Sequence, residues 1–240
     1  MVQTLIGDRY KVRLSRSSVC RLLHQLGLTA QRPLWRAYQQ NPDAVRQWLE
    51  TDYPALRRRA EREGAQILFA DEAGVRSDLH SGTTWGRRGQ TPVVSSTGAR
   101  FGANLIAAIS AQGQLCFMLT KGRVSAAVFI DFLKRLLNNA VAPIFLIVDG
   151  HPTHRAKSVI RFVQAQQGKL ALFYLPPYSP ELNRDELVWN DLKAHGTGRK
   201  LITSVTQLRR TMVSHTRQLQ KLPALVRNFF LAPTTRYARA

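Results

Sequence analysis

An apolar run at 143–148 is the strongest constraint on the fold, because it reads Pro-Ile-Phe-Leu-Ile-Val and leads straight into Asp149. A near-continuous apolar stretch of this length is typical of a central strand buried on both faces of a sheet. Further strands are predicted at 66–70, which leads into Asp71, and at 170–175. The chain is therefore expected to fold around a buried sheet.

Helical patterns alternate with these strands. Apolar residues recur at helical spacing in 124–138, 156–167 and 185–194, while two shorter strands at 105–109 and 114–119 flank a hairpin signal, Ser-Ala-Gln-Gly. Hairpin strands followed by strand–helix–strand units predict an α/β domain with a mixed sheet and helices on its faces.

Three acids are placed where their carboxylates could meet. Asp71 and Asp149 each follow an apolar strand, and Glu186 lies near a helix start just after the turn at 175–180. Adjacent parallel strands would present the first two acids at one edge of the sheet. Mg²⁺ accepts a few carboxylates and fills its remaining positions with waters or phosphate oxygens. The pattern therefore predicts a divalent-metal site, and turn or cap roles for each acid are the alternative.

Neighbouring acids leave the ligand set open. Alternation along the strand sends Glu72 to the face opposite Asp71. Asp185 adjoins Glu186, so it remains an alternative ligand or a cap of the same helix. His151 and His154 form an H-x-x-H pair, but no further Cys or His lies at useful spacing for zinc. His154 is instead predicted to contact a phosphate or the outer shell of the metal, and Arg87 and Arg88 are predicted to contact phosphates.

The charge balance points to a polyanionic partner. There are 35 Lys and Arg against 15 Asp and Glu, a formal net charge of +20, and each neutralised phosphate releases counterions. An anionic membrane surface is the rival, but no segment approaches the ~18 apolar residues of a spanning helix, and Met1 leads into a polar stretch unlike a signal peptide. We expect no membrane association, a cytoplasmic location and double-stranded DNA as the partner.

The first segment resembles a small DNA-binding unit. A helix is predicted at 16–26, capped by Ser15 and ended by Gly27, with an upstream helix at about 3–9. An ordinary amphipathic helix pair is the alternative. If the unit is a helix-turn-helix, its second helix and the following turn would offer these DNA contacts: Arg16, Ser17, Ser18, Arg21 and Arg32.

Three ordered blocks resemble those of the DDE transposases of the mariner superfamily, in particular its bacterial insertion-sequence branch. LPPYSPELN at 175–183, followed by Glu186 and Trp189, resembles the family's PPYSP-D/E-LNP-x-E-x-x-W block. Ile147-Val148-Asp149, with His154, resembles its V-D-N…H block. The first block is matched by LFADE at 68–72, TWG at 84–86 and GQTP at 89–92. Between the second and third acids lie 36 residues (186 − 149 − 1), a spacing such transposases use.

The resemblance, which spans roughly residues 5–200, implies both fold and chemistry. It implies a ribonuclease-H-like domain with a mixed five-stranded sheet, in which Asp71, Asp149 and Glu186 are the catalytic acids and hold two Mg²⁺ ions that Mn²⁺ can replace. It also implies a nucleoid-associated homodimer that cuts DNA at transposon terminal inverted repeats. The freed 3′-hydroxyls would then be joined to target DNA, at TA dinucleotides.

The resemblance also sets the expected organisation. We expect a partial helix-turn-helix or winged-helix unit at 1–37, a basic helical linker at 38–63, the catalytic domain at 64–200 and a basic helical tail at 201–240.

The chain departs from the family pattern in three ways. Gly150 replaces the usual Asn, and Arg184-Asp185 replaces a Pro-hydrophobic pair. Family members usually begin with another helix-turn-helix unit ahead of one like 3–28, so a truncated copy or one frame of a split gene is expected. Two other functions stay open: a nuclease or resolvase of the same fold that does not join strands, and a non-catalytic DNA-binding remnant.

Overall fold

The computed structural model describes residues 2–31, 37–78, 85, 87–93, 97–138, 140–198, 200–232 and 236–239. The chain divides into two compact units, residues 1–36 and 37–240. None of the helices among the described residues has the length and apolar character needed to cross a membrane.

The smaller unit contains the two predicted helices, α1 (Val2–Tyr10) and α2 (Arg16–Gln25). The predicted cap of α2 is present, since the Ser15 hydroxyl accepts a hydrogen bond from the Ser18 N–H at 3.1 Å and satisfies one free donor of the first turn. Gly27 follows the helix with φ +74°, the left-handed conformation that commonly ends a helix.

The larger unit begins with helical turns that pack onto its sheet. The segment predicted as a helical linker, 38–63, contains α3 (Pro42–Gln47), a π-helical segment (Trp48–Asp52) and α4 (Tyr53–Glu63). One face of this run is buried in the main core, through Trp48, Tyr53, Leu56 and Ala60. The part of the predicted linker from Trp48 to Ala60 is therefore packed into the core.

Five strands form the mixed sheet that the sequence predicts. They are β1 (Gln66–Arg76), β2 (Gly102–Ser110), β3 (Leu115–Thr120), β4 (Ile144–Val148) and β5 (Leu170–Tyr174), in the order β3-β2-β1-β4-β5. The β1–β2 and β2–β3 pairs are antiparallel, whereas β1–β4 and β4–β5 are parallel. The flanking helices are α5 (Ala126–Asn138), α6 (Lys157–Gln164), α7 (Asp185–Asp191), α8 (Val205–Gln220) and α9 (Pro223–Asn228), with a π-helical segment, Leu192–Thr197, after α7.

The first strand is longer than predicted, and the difference matters for the site. β1 was expected to end at Ala70, but it continues to Arg76 because its antiparallel pairing with β2 extends that far. Its parallel pairing with β4 stops at Phe69. Asp71 therefore lies within β1, still paired with β2 but just past the end of the pairing with β4.

Alternation along the central strands divides the core into two layers. Phe69 and Ala73 belong to the layer shared with α4, α7 and α8. Leu68 and Ala70 belong to the opposite layer, shared with α5 and α6. Asp71 thus points to the side of α7, and Glu72 points to the side of α5.

The C-terminal helices are part of the first of these layers. Met212 of α8, Val226 of α9 and Phe230 are all buried in it. The predicted hairpin turn helps to seat α9: Gly113 has φ +95°, and a Cβ there would lie 2.5 Å from the Pro223 carbonyl oxygen. The segment predicted as a tail is therefore packed against the sheet.

Candidate active site

The register of the central strands brings Asp71 and Asp149 together. Gln66 pairs with Ile144 and Phe69 with Ile147, a constant offset of 78 residues (144 − 66). Continued past the end of the ladder, the same offset places Asp149 level with Asp71 (71 + 78). Adjacent strands lie about 5 Å apart, so the two acids emerge side by side at one edge of the sheet.

These two acids and Glu186 line one cleft. It has a volume of about 670 Å³, and all three side chains contribute to its lining. One wall is the loop after β4, and the other is the proline-rich turn before α7. The further lining residues are Gly150, His151, Pro152, Arg155, Leu175, Pro176, Pro177, Tyr178, Ser179, Pro180 and Asn183.

Asp71 is held from the α7 side. The Trp189 indole N–H donates a hydrogen bond to Asp71 Oδ2 at 3.1 Å, and the Trp189 ring is buried. Burial raises the pKa of Asp71 to about 7; hydrogen bonds from the Glu72 backbone and Trp189 oppose the rise, while the charges of Glu186 and Asp149 add to it. The cleft thus concentrates negative charge that a cation would neutralise.

Asp149 is held from the opposite side by histidine. His154 Nδ1 lies 2.9 Å from Asp149 Oδ1, and His154 Nε2 lies 3.1 Å from Glu72 Oε1. Burial lowers the pKa of His154, but the bonds to Asp149 and Glu72 outweigh it and raise the pKa to about 9. For Asp149, burial acts upward, but hydrogen bonds from His154 and from the His151 backbone hold its pKa below the usual value.

The structure separates the two adjacent acids at the start of α7. Glu186 lines the cleft, whereas Asp185 has 0% exposure and neither of its carboxylate oxygens has a hydrogen-bond partner among the described residues. Burial raises the pKa of Asp185 well above the usual value, and the charges of Asp71 and Glu186 add to the rise. Asp185 is therefore placed in the interior behind the cleft.

Arg184 precedes Asp185 in the pair that departs from the family pattern, and it is buried among aromatic rings. Its guanidinium carbon lies 4.2 Å from the ring centre of Tyr237, 5.4 Å from that of Phe69 and 5.5 Å from that of Phe230. Burial lowers the pKa of Arg184 to about 10. Cation–π contacts of this kind stabilise a desolvated guanidinium, so the residue joins the C-terminal segment to the base of α7.

The proline-rich turn is fixed by one side chain from the N-terminal end of this unit. The Gln40 amide donates to the Tyr178 carbonyl oxygen at 3.1 Å and lies 2.6 Å from Glu181 Oε1. Tyr178 has φ +56°, an uncommon conformation for a residue with a side chain. The turn consequently holds the Tyr178 ring exposed at the wall of the cleft.

Other predicted contact residues lie elsewhere. Arg87 and Arg88 are exposed and do not line the cleft. His154 is only 2% exposed, so it faces carboxylates rather than an incoming phosphate.

The predicted DNA contacts of α2 differ in their surroundings. The Ser18 hydroxyl lies 2.9 Å from the Ser15 hydroxyl, within the cap of the helix. The remaining predicted DNA contacts are exposed at Arg16, Ser17 and Arg21, whereas Arg32 lies outside the described residues.

Sequence reasoning missed two residues at this site. Arg155 lies beside the cleft, with its guanidinium carbon 4.2 Å from the centre of the Tyr174 ring. The sequence could have indicated Arg155, because this residue directly follows His154. Glu72 was set aside by strand alternation, which correctly places it on the other face but does not reveal that His154 reaches around to it.

The donor set suits a hard divalent cation. Asp71, Asp149 and Glu186 offer carboxylate oxygens, which Mg²⁺ prefers, and Mg²⁺ commonly uses only one or two of them together with waters and substrate phosphates. Within the described parts of the chain, no three His, Cys, Asp or Glu side chains are gathered closely enough to hold an ion by themselves. An ion here would therefore share its shell with water or with the substrate.

Comparison with known proteins agrees with this architecture. Residues 66–209 match the DDE superfamily endonuclease family, and residues 1–52 match a winged helix-turn-helix family. The uncharacterized 39 kDa protein of insertion element IS630 from Shigella sonnei is 27% identical over 144 residues. That match covers 59% of this chain and 42% of the relative, so the chain spans less than half of the relative's length.

Solved structures show the same fold. The Mos1 transposase paired-end complex with the left transposon end gives a TM-score of 0.64 at 17% identity, covering 99% of this chain and 75% of that chain. A mariner Mos1 paired end complex with Mg gives a TM-score of 0.65 at 16% identity, covering 98% and 74%. Since the family match extends over more than half of the sequence, the chain belongs to the DDE superfamily of endonucleases.

Proposed function

We propose that this protein is a transposase that cuts DNA at the ends of a mobile element and joins the freed ends to target DNA. The observation that carries the proposal is the convergence of Asp71, Asp149 and Glu186 on one cleft. The relationship to the IS630 protein and the winged helix-turn-helix match at residues 1–52 support it. Recognition of terminal inverted repeats, insertion at TA and a homodimer bridging two ends are parts of the same proposal.

The three acids would hold two Mg²⁺ or Mn²⁺ ions, whereas Asp185, which is buried behind the cleft, would lie outside the ligand set. Bound there, the ions would activate the attacking oxygen and stabilise the charge on the leaving oxygen of a phosphodiester. In cleavage, water attacks phosphorus and the bond to the 3′ oxygen breaks, leaving a 3′-hydroxyl. In joining, that hydroxyl attacks a target phosphodiester and displaces another 3′ oxygen. Neither step needs a covalent bond to the protein.

The experiment follows cleavage and joining on duplex DNA carrying the element's end, with Mg²⁺, Mn²⁺ or EDTA, for wild type and Asp149→Ala. Joined products that depend on metal and disappear in the variant are expected. Cleavage without joining would favour a nuclease or resolvase of the same fold. DNA binding with no metal-dependent chemistry, equal in both proteins, would identify a DNA-binding remnant and contradict the proposal.

The cleft also presents one positively charged side chain, that of Arg155, to the DNA substrate. Arg155 is exposed and stacked on Tyr174, so its guanidinium is available to a phosphate next to the scissile one. A hydrogen bond to a charged group contributes roughly 1.5–3 kcal/mol. Arg155→Gln is therefore expected to raise the DNA concentration for half-maximal cleavage by about tenfold or more, and to reduce the slope of log affinity against log salt by about 1.

Titrations of cleavage against DNA at several salt concentrations test this expectation. Arg161→Gln is the matched control, because Arg161 is exposed on α6 and does not line the cleft. Equal effects of the two substitutions would mean that Arg155 contributes only to the general positive charge.

A further inference from the structure

Glu72 lies on the face of the sheet opposite to Asp71, yet it is connected to the cleft. It follows Asp71 directly, so its side chain leaves β1 on the opposite face, and the Glu72 side chain is 22% exposed. On that face it meets His154, which comes from the loop after β4. A residue on the far side of the sheet is thereby connected to the loop that begins with Asp149.

The His154 ring is buried and is fixed by contacts with several residues. It is 2% exposed, its ring centre lies 4.4 Å from that of Phe129, and its backbone carbonyl accepts a hydrogen bond from the Tyr174 hydroxyl at 3.2 Å. Both ring nitrogens face carboxylate oxygens, at 2.9 Å on the Asp149 side and 3.1 Å on the Glu72 side. Each ring nitrogen therefore has its own carboxylate partner, one on each side of the ring.

This arrangement fixes one oxygen of Asp149. Oδ1 accepts from His154 Nδ1 and from the His151 backbone N–H at 3.0 Å. Asp149 lies just past the end of β4, its side chain is 49% exposed, and the following Gly150 has no side chain to brace it. These two bonds to Oδ1 therefore set the direction of the second oxygen, and the His154 contact is the one of the two that a side chain makes. Without the Glu72 carboxylate, the Nε2 end of the buried His154 ring would lose its hydrogen-bond partner, and the ring would be free to turn away from Asp149.

We propose that Glu72 is a positioning residue, which acts through His154 to aim the Asp149 carboxylate into the cleft. The inference rests on the proposed role of Asp149 as a metal ligand. Outer-shell partners of this kind typically change metal affinity or activity by 10–100-fold when removed. Glu72→Ala is expected to weaken Mn²⁺ binding by about tenfold or more. Glu72→Gln should lose less, because its amide oxygen still accepts from Nε2.

The test uses the full chain, with Glu50→Ala as the control, since Glu50 is an exposed acid on the segment before α4. Mn²⁺ binding to the DNA-free protein is measured by calorimetry. The ring nitrogens of His154 are followed by ¹⁵N NMR without metal, assigned with His154→Gln. Thermal unfolding shows which variants are folded, and if Glu72→Ala is not folded, Glu72→Gln decides.

When Glu72→Ala is folded, support requires three results together: weaker Mn²⁺ binding in Glu72→Ala, partial recovery in Glu72→Gln, and changed ¹⁵N signals of the His154 ring in Glu72→Ala but not in Glu50→Ala. A folded Glu72→Ala with unchanged Mn²⁺ affinity would overturn the proposal, as would an unchanged His154 spectrum. If wild type binds no Mn²⁺, the proposed metal chemistry fails, while the spectrum still decides whether Glu72 controls His154.

Discussion

Asp71→Asn is expected to reduce metal-dependent cleavage strongly while raising the melting temperature of the metal-free protein. The substitution keeps the size of the side chain and an acceptor for the Trp189 indole N–H, but removes a charge from the cleft. Bound ions contribute several kcal/mol to such reactions, and each 1.4 kcal/mol is tenfold in rate. A loss of roughly 10³-fold is therefore expected.

The opposite effect on stability follows from the pKa of Asp71. The folded-state pKa is raised to about 7, so at pH 8 the carboxylate is ionised in both the folded and the unfolded states. Its burial beside Glu186 and Asp149 then costs folding free energy. The cost is present above the folded-state pKa and disappears as the pH falls below the unfolded-state pKa, where the group is protonated in both states.

Thermal unfolding at pH 8, with and without Mg²⁺, is the measurement. We expect Mg²⁺ to stabilise wild type and to have little effect on Asp71→Asn, because a ligand that binds only the folded state raises its stability. Asp131→Asn, an exposed acid on α5, should behave like wild type. Retained cleavage in Asp71→Asn would remove Asp71 from the ligand set.

Glu186→Gln and Asp185→Asn are expected to differ sharply although the residues are adjacent. Glu186 lines the cleft, so its loss should reduce metal-dependent cleavage by roughly 10³-fold, for the same reason as at Asp71. Asp185 is buried behind the cleft, and burial raises the pKa of its carboxyl well above the usual value. An amide of the same shape should leave cleavage near the wild-type rate.

The comparison uses initial cleavage rates at saturating Mg²⁺, together with DNA binding in EDTA to show that both variants still bind their substrate. The reverse result, with cleavage lost in Asp185→Asn and kept in Glu186→Gln, would make Asp185 the third ligand. Loss in both variants with normal melting temperatures would mean that the start of α7 acts as one unit.

The sequence predicts much of this fold because its signals are local. The apolar run at 143–148 is typical of a buried central strand, and glycine and proline residues indicate the hairpin and the turn before α7. The length of β1 was wrong because pairing with β2 continues it past Asp71, and such pairing is not visible in the strand itself. The anchoring of 43–63 and 201–231 depends on contacts with the sheet, which periodicity does not reveal.

The residues of the site likewise divide into those that the sequence predicts and those that it does not. Acids that follow strands are visible in the sequence, and the parallel register brings Asp71 and Asp149 to one level. The choice between Asp185 and Glu186 depends on how α7 is rotated against the sheet, which neighbouring positions do not specify. The contact between Glu72 and His154 became visible only once the loop after β4 was placed, because it joins residues distant in sequence. The sequence indicated Arg155 only through its position next to His154.

The shared register of β1 and β4 has a consequence for insertions and deletions. Hydrogen bonds between the strands, rather than the length of chain that separates them, keep Asp71 and Asp149 side by side. Loops such as the one between β3 and α5 can therefore change length without displacing either carboxylate. Deleting one residue within β4 would instead turn Asp149 to the other face of the sheet, because side chains alternate along a strand.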